Sequence, residues 1–593
     1  MYLKTHRRKK DGKEHIYYSL TESVRINKRR VVQRRILNLG ELNTNQVEAW
    51  QRTIEVIHEN GERNQMRLFT DREGQAPLAD DVAEVHLSSL EVHHPRRFGD
   101  CWAGNRMWED LGLDSFWDNA LASHKGDVSW EKVLRVLVIN RLCDPGSEWF
   151  VHQRWYSQSA LPFLLDTDAR LASKDRLYRC LDKITTHKEK LQKHLTDRWG
   201  DLFGASTDIL LYDLTSTYFE GPVESVPKAQ RGYSRDKRGD CKQLVLALVV
   251  TPEGFPLSYE VFDGNRRDVG TLEEMLDSIE QKYGKHSRIW VCDRGLVSKA
   301  NIRHFEKRGC QFLVGTPRSK LSDFEKELLA GNWHEIRDEL EVQYIKDKDA
   351  NYVLARSRQR AQKERAMRSS QILGLMRDVI KLSKRVRNGQ LKDAGKIHQQ
   401  IGRLRERYKV GRRYIQICYD EQSNRIQRVW DKDKLRMAEA KDGAYLLRTN
   451  LDQTDPEKLW DMYVQLTEAE AAFRALKSEL GLRPIYHRTP DRVEAHVMVA
   501  FLGYSLWVCL KHRIKAKAAG LTPRQVLEEL RSMTLVEVAF SLRKGGKIWL
   551  PRITVPEKPQ QALLQILGWT LPEQPPPRIT QAQATSCVAD LDG

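Results

Sequence analysis

The spacing of apolar and polar positions changes several times along the 593 residues, and each change marks a different kind of element. Residues 1–40 carry short alternating runs, His15-Ile16-Tyr17-Tyr18 and Val31-Val32-Gln33-Arg34-Arg35-Ile36-Leu37, broken near Gly12 and at Asn27-Lys28. They predict a small basic β hairpin or meander over 1–45. Gln46–Asn60 has helical spacing and leads into a polar connector that ends at residue 98. From 99 to 203 the helical period dominates, in Val133, Leu134, Leu137, Val138 and Leu142 and again in Leu177, Leu181 and Ile184. A compact helical domain is predicted there, either one that contacts DNA or an inert scaffold.

At residue 207 the period shortens. Thr207–Asp213, Lys242–Val250, Leu257–Phe262, Arg288–Asp293 and Gln311–Gly315 read as strands, with helices over Val269–Tyr283 and Lys299–Arg308. A three-strand meander, then helix, strand, helix, strand, is the element order of a ribonuclease-H-like α/β core. Residues 318–455 interrupt it with a basic helical block at 356–408 and strands at Arg413–Tyr419 and Tyr445–Thr449. They read as a mixed α/β insertion domain whose two tryptophans, Trp333 and Trp430, belong to its core. Helices return over Pro456–Leu480, Arg492–Lys511 and Pro523–Met533. The catalytic core is therefore expected over 204–317 and 456–515. A helical and Pro-rich region follows over 516–593, extended from residue 551. Val497–Leu510 is too short for a membrane span and reads as a buried helix.

Charge sharpens this picture. The chain carries 99 basic and 81 acidic side chains, a net +18. Residues 1–37 hold +9 and residues 356–413 hold +15, which leaves the remainder at −6. Two basic concentrations on a mildly acidic body suit a polyanion, and nucleic acid first. Nine cysteines without a C-x-x-C pair predict neither a disulfide framework nor a zinc site, and no phosphate-cradling G-x-x-x-x-G-K-[ST] occurs. With no apolar leader after the basic N-terminus, the chain reads as intracellular, with no membrane partner.

The candidate chemistry is carboxylate chemistry. Asp213 and Asp293 each stand where an apolar strand runs out into polar sequence. In an α/β sheet, sites gather at the carboxyl ends of strands. On the helix that starts at Pro456, Tyr463, Leu466, Glu470, Phe473, Arg474 and Lys477 share one face. Glu468 lies about 160° round the helix from Glu470 and reads as solvated. Two Asp and one Glu suit Mg²⁺, with Mn²⁺ as a substitute, and such ions can hold both oxygens of an in-line phosphoryl displacement.

These residues resemble the DDE transposases of bacterial insertion sequences, in the subgroup with the helix motif Y-x2-R-x3-E-x6-K. That motif stands here as Tyr463, Leu466, Glu470 and Lys477, with Leu in the Arg position. The run from Phe473-Arg474 through Lys477-Ser478 to Arg483-Pro484-Ile485-Tyr486-His487 is similar to one branch of the subgroup. Tyr212–Gly221, Gly232–Asp236, Gly264-Asn265 and Asp268 resemble the family's other blocks. The resemblance implies cut-and-paste transposition. An activated water would attack a phosphodiester at the element's end. The freed 3′-hydroxyl would then attack the opposite strand through a hairpin, and later target DNA. It further implies Asp213, Asp293 and Glu470 as catalytic metal ligands and Tyr463, Arg474 and Lys477 as DNA contacts. The partner would be double-stranded DNA, both terminal inverted repeats and target, bound by a dimer in the bacterial cytoplasm at the nucleoid. A metal-dependent nuclease or resolvase on the same fold, and a DNA-binding repressor descended from a transposase, stay open as alternatives.

Overall fold

The computed structural model describes residues 2–50 and 83–580 apart from short breaks, so the expected helix beyond residue 50, most of the connector and Asp268 lie outside the described residues. Strands β1 (Tyr2–Lys10), β2 (Lys13–Asn27) and β3 (Arg30–Glu41) form an antiparallel meander at the N-terminus. The end of the expected connector is a strand, β4 (Glu91–Arg97). Five longer helices follow: α1 (Gly99–Asp110), α2 (Leu113–Ala120), α3 (Trp130–Cys143), α4 (Lys174–Ile184) and α5 (Lys188–Phe203).

The central sheet is built from β5 (Ile209–Tyr218), β6 (Gln243–Val250) and β7 (Pro256–Asp263), then α6 (Leu272–Tyr283), β8 (Ile289–Cys292), α7 (Lys299–Lys307) and β9 (Gln311–Gly315). Its strand order is β7-β6-β5-β8-β9, with β5, β8 and β9 parallel and the first three antiparallel. That order and hand of pairing define the expected ribonuclease-H-like core. β6 is buried along its whole length, as an apolar run between two strands must be.

Four strands of the interruption join the central sheet. β10 (His334–Arg337), β11 (Leu340–Lys346) and β12 (Asn351–Ser357) pair in sequence, and β12 pairs with β15 (Ala444–Thr449), which pairs with β9. The result is one nine-stranded sheet. Between β12 and β15 projects an arm of α8 (Arg358–Arg387), α9 (Ala394–Arg407) and the hairpin β13 (Ile415–Asp420) and β14 (Arg425–Trp430). The arm has its own core, from Leu375 and Val379 to Ile397, Ile401, Ile415 and Ile417. Arg368 ties it down through two 2.6 Å bonds to Asp442, both side chains buried. Trp430 is not core: it is 40% exposed, because the two-stranded hairpin leaves one face open. Trp333 is half-buried, with the Arg356 guanidinium 4.3 Å from its ring centre.

The expected single helix over 456–480 is three segments. α10 (Pro456–Val464) stops at Gln465, α11 (Leu466–Arg474) follows, and Ala475–Glu479 widens into a π turn closed by Leu480 N–H to Ala475 O. α12 (Pro490–Lys515) is long and apolar enough to cross a membrane, but 94% of its apolar window is buried against the rest of the protein. The expectation of an extended segment from 551 is corrected. α13 (Pro523–Leu530) leads to β16 (Thr534–Ser541) and β17 (Lys547–Ile553), then α14 (Lys558–Leu567) and β18 (Arg578–Thr580). Ala562, Leu563, Leu564 and Ile566 bury one face of α14 behind a Glu557/Gln560 capping box. β16 pairs with β4, closing a four-stranded sheet from both ends of the chain.

Candidate active site

Asp213 does not end its strand. β5 continues to Tyr218 because Leu214–Tyr218 pair with β6 from Gln243 to Ala247. What ends at Asp213 is the parallel pairing on the other side, whose last partners are Tyr212 and Cys292. Asp293 is the next residue after β8. The two aspartates therefore leave neighbouring parallel strands at the same level, on the side where the sheet opens. α11 packs across β5 and brings Glu470 to the same cleft.

Asp213, Asp293 and Glu470 line one cleft with Arg294, Gly315 and Tyr463. Among the described residues, none of the three carboxylates forms an ion pair. Asp213 Oδ1 accepts Leu214 N–H at 2.8 Å. Its acid is pushed up to about 7, first by burial and then by the carboxylates of Asp293 and Glu470. Three oxygen acids that converge without a salt-bridge partner among the described residues are a donor set for a hard divalent ion.

Tyr463 donates its phenol to Asp293 Oδ1 at 3.5 Å. Burial, with Asp293 second, pushes the phenol's titration well above its ordinary range, so it stays a donor. Gly315 at the end of β9 makes room for it, since a Cβ there would overlap Tyr463 Oη. The far wall is cationic and aromatic. Arg318 and Arg360 both bind Glu364, and the Tyr445 and Trp460 rings meet edge to face with centres 5.3 Å apart. Sequence reading missed these wall residues, which come from separate elements: Arg318 from the turn after β9, Arg360 from α8, Tyr445 from β15 and Trp460 from α10; the one local signal was Arg294, adjacent to Asp293.

Two other expected contacts are placed differently. Arg474 is exposed beyond the cleft and makes no ion pair with Glu470. Lys477 is not a free cation: its Nζ lies 2.9 Å from Asp236 Oδ1, and its side chain is 10% exposed. The π turn rotates it off the face that carries Glu470. Arg483 also binds Asp236, so Asp236 pins the β5–β6 loop to the helix. Glu468 is not solvated either. It is half-buried and ion-paired to Lys511 of α12.

Residues 204–506 match the family model of the transposase DDE domain, and residues 3–67 match that of the N-terminal domain of IS1634 family transposases. No curated protein matches the chain. Among solved structures, the piggyBac transposase synaptic complex with hairpin DNA shares 10% identity over 74% of this chain and 82% of that one, with a TM-score of 0.33. The Mos1 transposase paired-end complex with left transposon end shares 12% identity over 32% of this chain and 60% of that one, with a TM-score of 0.14. These structural likenesses are too slight to bear on the fold, which rests on the strand order and the family match.

Proposed function

The chain belongs to the DDE transposase family, and on that premise we propose that Asp213, Asp293 and Glu470 are its catalytic carboxylates and hold Mg²⁺ or Mn²⁺ for cleavage and strand transfer at the element's ends. The observation that carries this is the convergence of three unpaired carboxylates from β5, β8 and α11, with Asp213 pushed up to about 7 by burial and by the other two. Divalent ions bound there supply activation of the attacking hydroxyl and neutralise charge on the phosphate in the transition state.

The chain's own residues position the rest. Asp213 follows the last residue of β5 paired with β8, and Asp293 follows β8 directly, so the parallel pairing sets where both carboxylates start. Tyr463 holds Asp293 by its phenol and offers its ring edge to the DNA at the scissile position. Arg474, exposed on the same helix, contacts a phosphate of the transposon end. Lys477 acts through Asp236 to hold the β5–β6 loop. The DNA partners are the terminal inverted repeats and target duplex, bound by two copies of the chain at the bacterial nucleoid.

The test is end cleavage of a labelled duplex carrying the element's terminus, with Mg²⁺ or Mn²⁺, by wild type and Glu470→Gln. Wild type should nick the terminus and then form a hairpin, while the variant binds the same duplex and leaves it intact. Equal cleavage by both proteins would remove Glu470 from the assignment.

A further inference from the structure

A groove away from the carboxylates is lined by α4 on one side and by the segment from Tyr486 to Arg492 on the other. It joins the helical region to the catalytic core. Lys174 and Arg179 reach it from α4, and Arg488 from the opposite wall; all three are exposed. Among the described residues, no carboxylate pairs with any of them. Arg492, by contrast, is bound to Asp182 at 2.7 and 2.9 Å and lies over the Tyr178 ring, so it builds the wall. Lys174 Nζ sits 5.3 Å from the ring centre of Trp149, which is itself 52% exposed, and Tyr486 is 60% exposed. The acid beneath is neutralised. Buried Glu148 stands 3.8 Å from Arg141 and 3.5 Å from His487. Asp175 is the acid that remains on the groove's lining.

The groove is also tied to the chain run that leads to the active site. Tyr486 donates to Glu220 at 2.9 Å, and Glu220 follows the same chain run that carries Asp213. Seven extended residues at about 3.3 Å each put Glu220 about 23 Å from Asp213. At about 3.4 Å per nucleotide along a strand, that is roughly seven base pairs.

We propose that this groove is a second DNA dock, in which Lys174, Arg179 and Arg488 bind the phosphates of a duplex about seven base pairs from the bond that the carboxylates cleave. The proposal rests on the transposase reading above and adds to it the track the duplex follows. The ligand is duplex DNA because the three unpaired cations flank an open trough whose wall is tied through Tyr486 and Glu220 to the chain run that carries Asp213. Exposed Trp149 and Tyr486 give its rim flat faces against sugar edges. By holding α4 and the 486–492 segment together, the bound duplex bridges the helical region and the core.

The test uses the full chain in EDTA, so that binding is read without cleavage. Anisotropy of a labelled duplex with the element's terminus and flank is followed over a salt series, with a hydroxyl-radical footprint. In Lys174→Glu/Arg179→Glu/Arg488→Glu, the slope of log K against log salt should flatten by about 2.7 and affinity should fall at least about tenfold near 0.1 M salt. Footprint protection about seven base pairs from the cleavage site should vanish while protection at the site stays. Should the reversals disturb folding, the Gln versions and an Arg179→Lys/Arg488→Lys control, which should keep the slope, give the same reading. Wild-type slope and footprint in the folded triple variant would overturn the groove assignment alone. Preference of the groove for duplex RNA, with the same reversals abolishing RNA but not DNA binding, would overturn it as well. If wild type itself does not bind the terminus, the transposase assignment of this chain's sites falls, not the groove specifically.

Discussion

Lys477 donates to Asp236 across 2.9 Å in a pocket that leaves both side chains nearly buried, and this pair fastens the helix carrying Glu470 to the loop between β5 and β6. Removing one member of a buried pair leaves the other charged and desolvated, at a cost on the order of 3–5 kcal/mol. Arg483 stays on Asp236, which sets the expectation at the lower end.

Lys477→Met should therefore lower unfolding free energy by about 3 kcal/mol. Adding Asp236→Asn should restore part of that loss, because the stranded carboxylate is gone. Urea melts of the two single variants and the double variant measure the coupling. Strict additivity would show that the pair does not hold the loop.

Gly315→Ala should leave the sheet folded and impair cleavage. The new methyl overlaps Tyr463 Oη and must push the ring away from Asp293. A displacement near 1 Å at a reacting site costs about a hundredfold in rate. Cleavage rate against thermal stability separates the two effects; a wild-type rate would mean that the ring's place is immaterial.

Metal should stabilise the wild type through its carboxylates. At about 100 times its dissociation constant, a ligand specific to the folded state adds about 2.7 kcal/mol. Thermal melts with and without Mn²⁺ should show an upward shift in wild type, and little or none in Asp213→Asn or Glu470→Gln. Removal by EDTA should not unfold the chain, since burial and its neighbours favour the neutral acid at Asp213. A full shift in both variants would place the ion elsewhere.

Arg368→Met should loosen the arm while sparing the core. Asp442 then loses both of its 2.6 Å bonds at the base of α8. Hydrogen exchange should speed up over 358–440 and stay slow in β5 and β6. Uniform acceleration across the chain would mean that the arm and the core unfold as one unit.

The carboxylates were legible because local pattern marks where an apolar strand stops, and helical spacing singles out Glu470. Asp213 was placed correctly for an inexact reason. The feature that counts is the end of its pairing with β8, and its own strand runs on to Tyr218. The pairing of Lys477 with Asp236 was not legible, because a uniform 100° step cannot register the π turn at Ala475–Glu479 and Asp236 lies on a distant loop. Glu468 was misread because its partner, Lys511, lies on another helix. β16 and β17 carried a hairpin signal, alternating strands around Gly545-Gly546, that was passed over. Their partner β4 lies at the far end of the chain, which no local pattern can reveal.

The joining of β9 to β15 has a mechanical consequence. A load on the basic arm enters through α8, which leaves β12 without an intervening residue, and crosses β15 and β9 to β8 and the base of Asp293. From β12 onward, every step of that route is a ladder of backbone hydrogen bonds. The arm is a lever rooted in the same beam as the two aspartates, so a load at its tip is carried to the strands that hold Asp213 and Asp293.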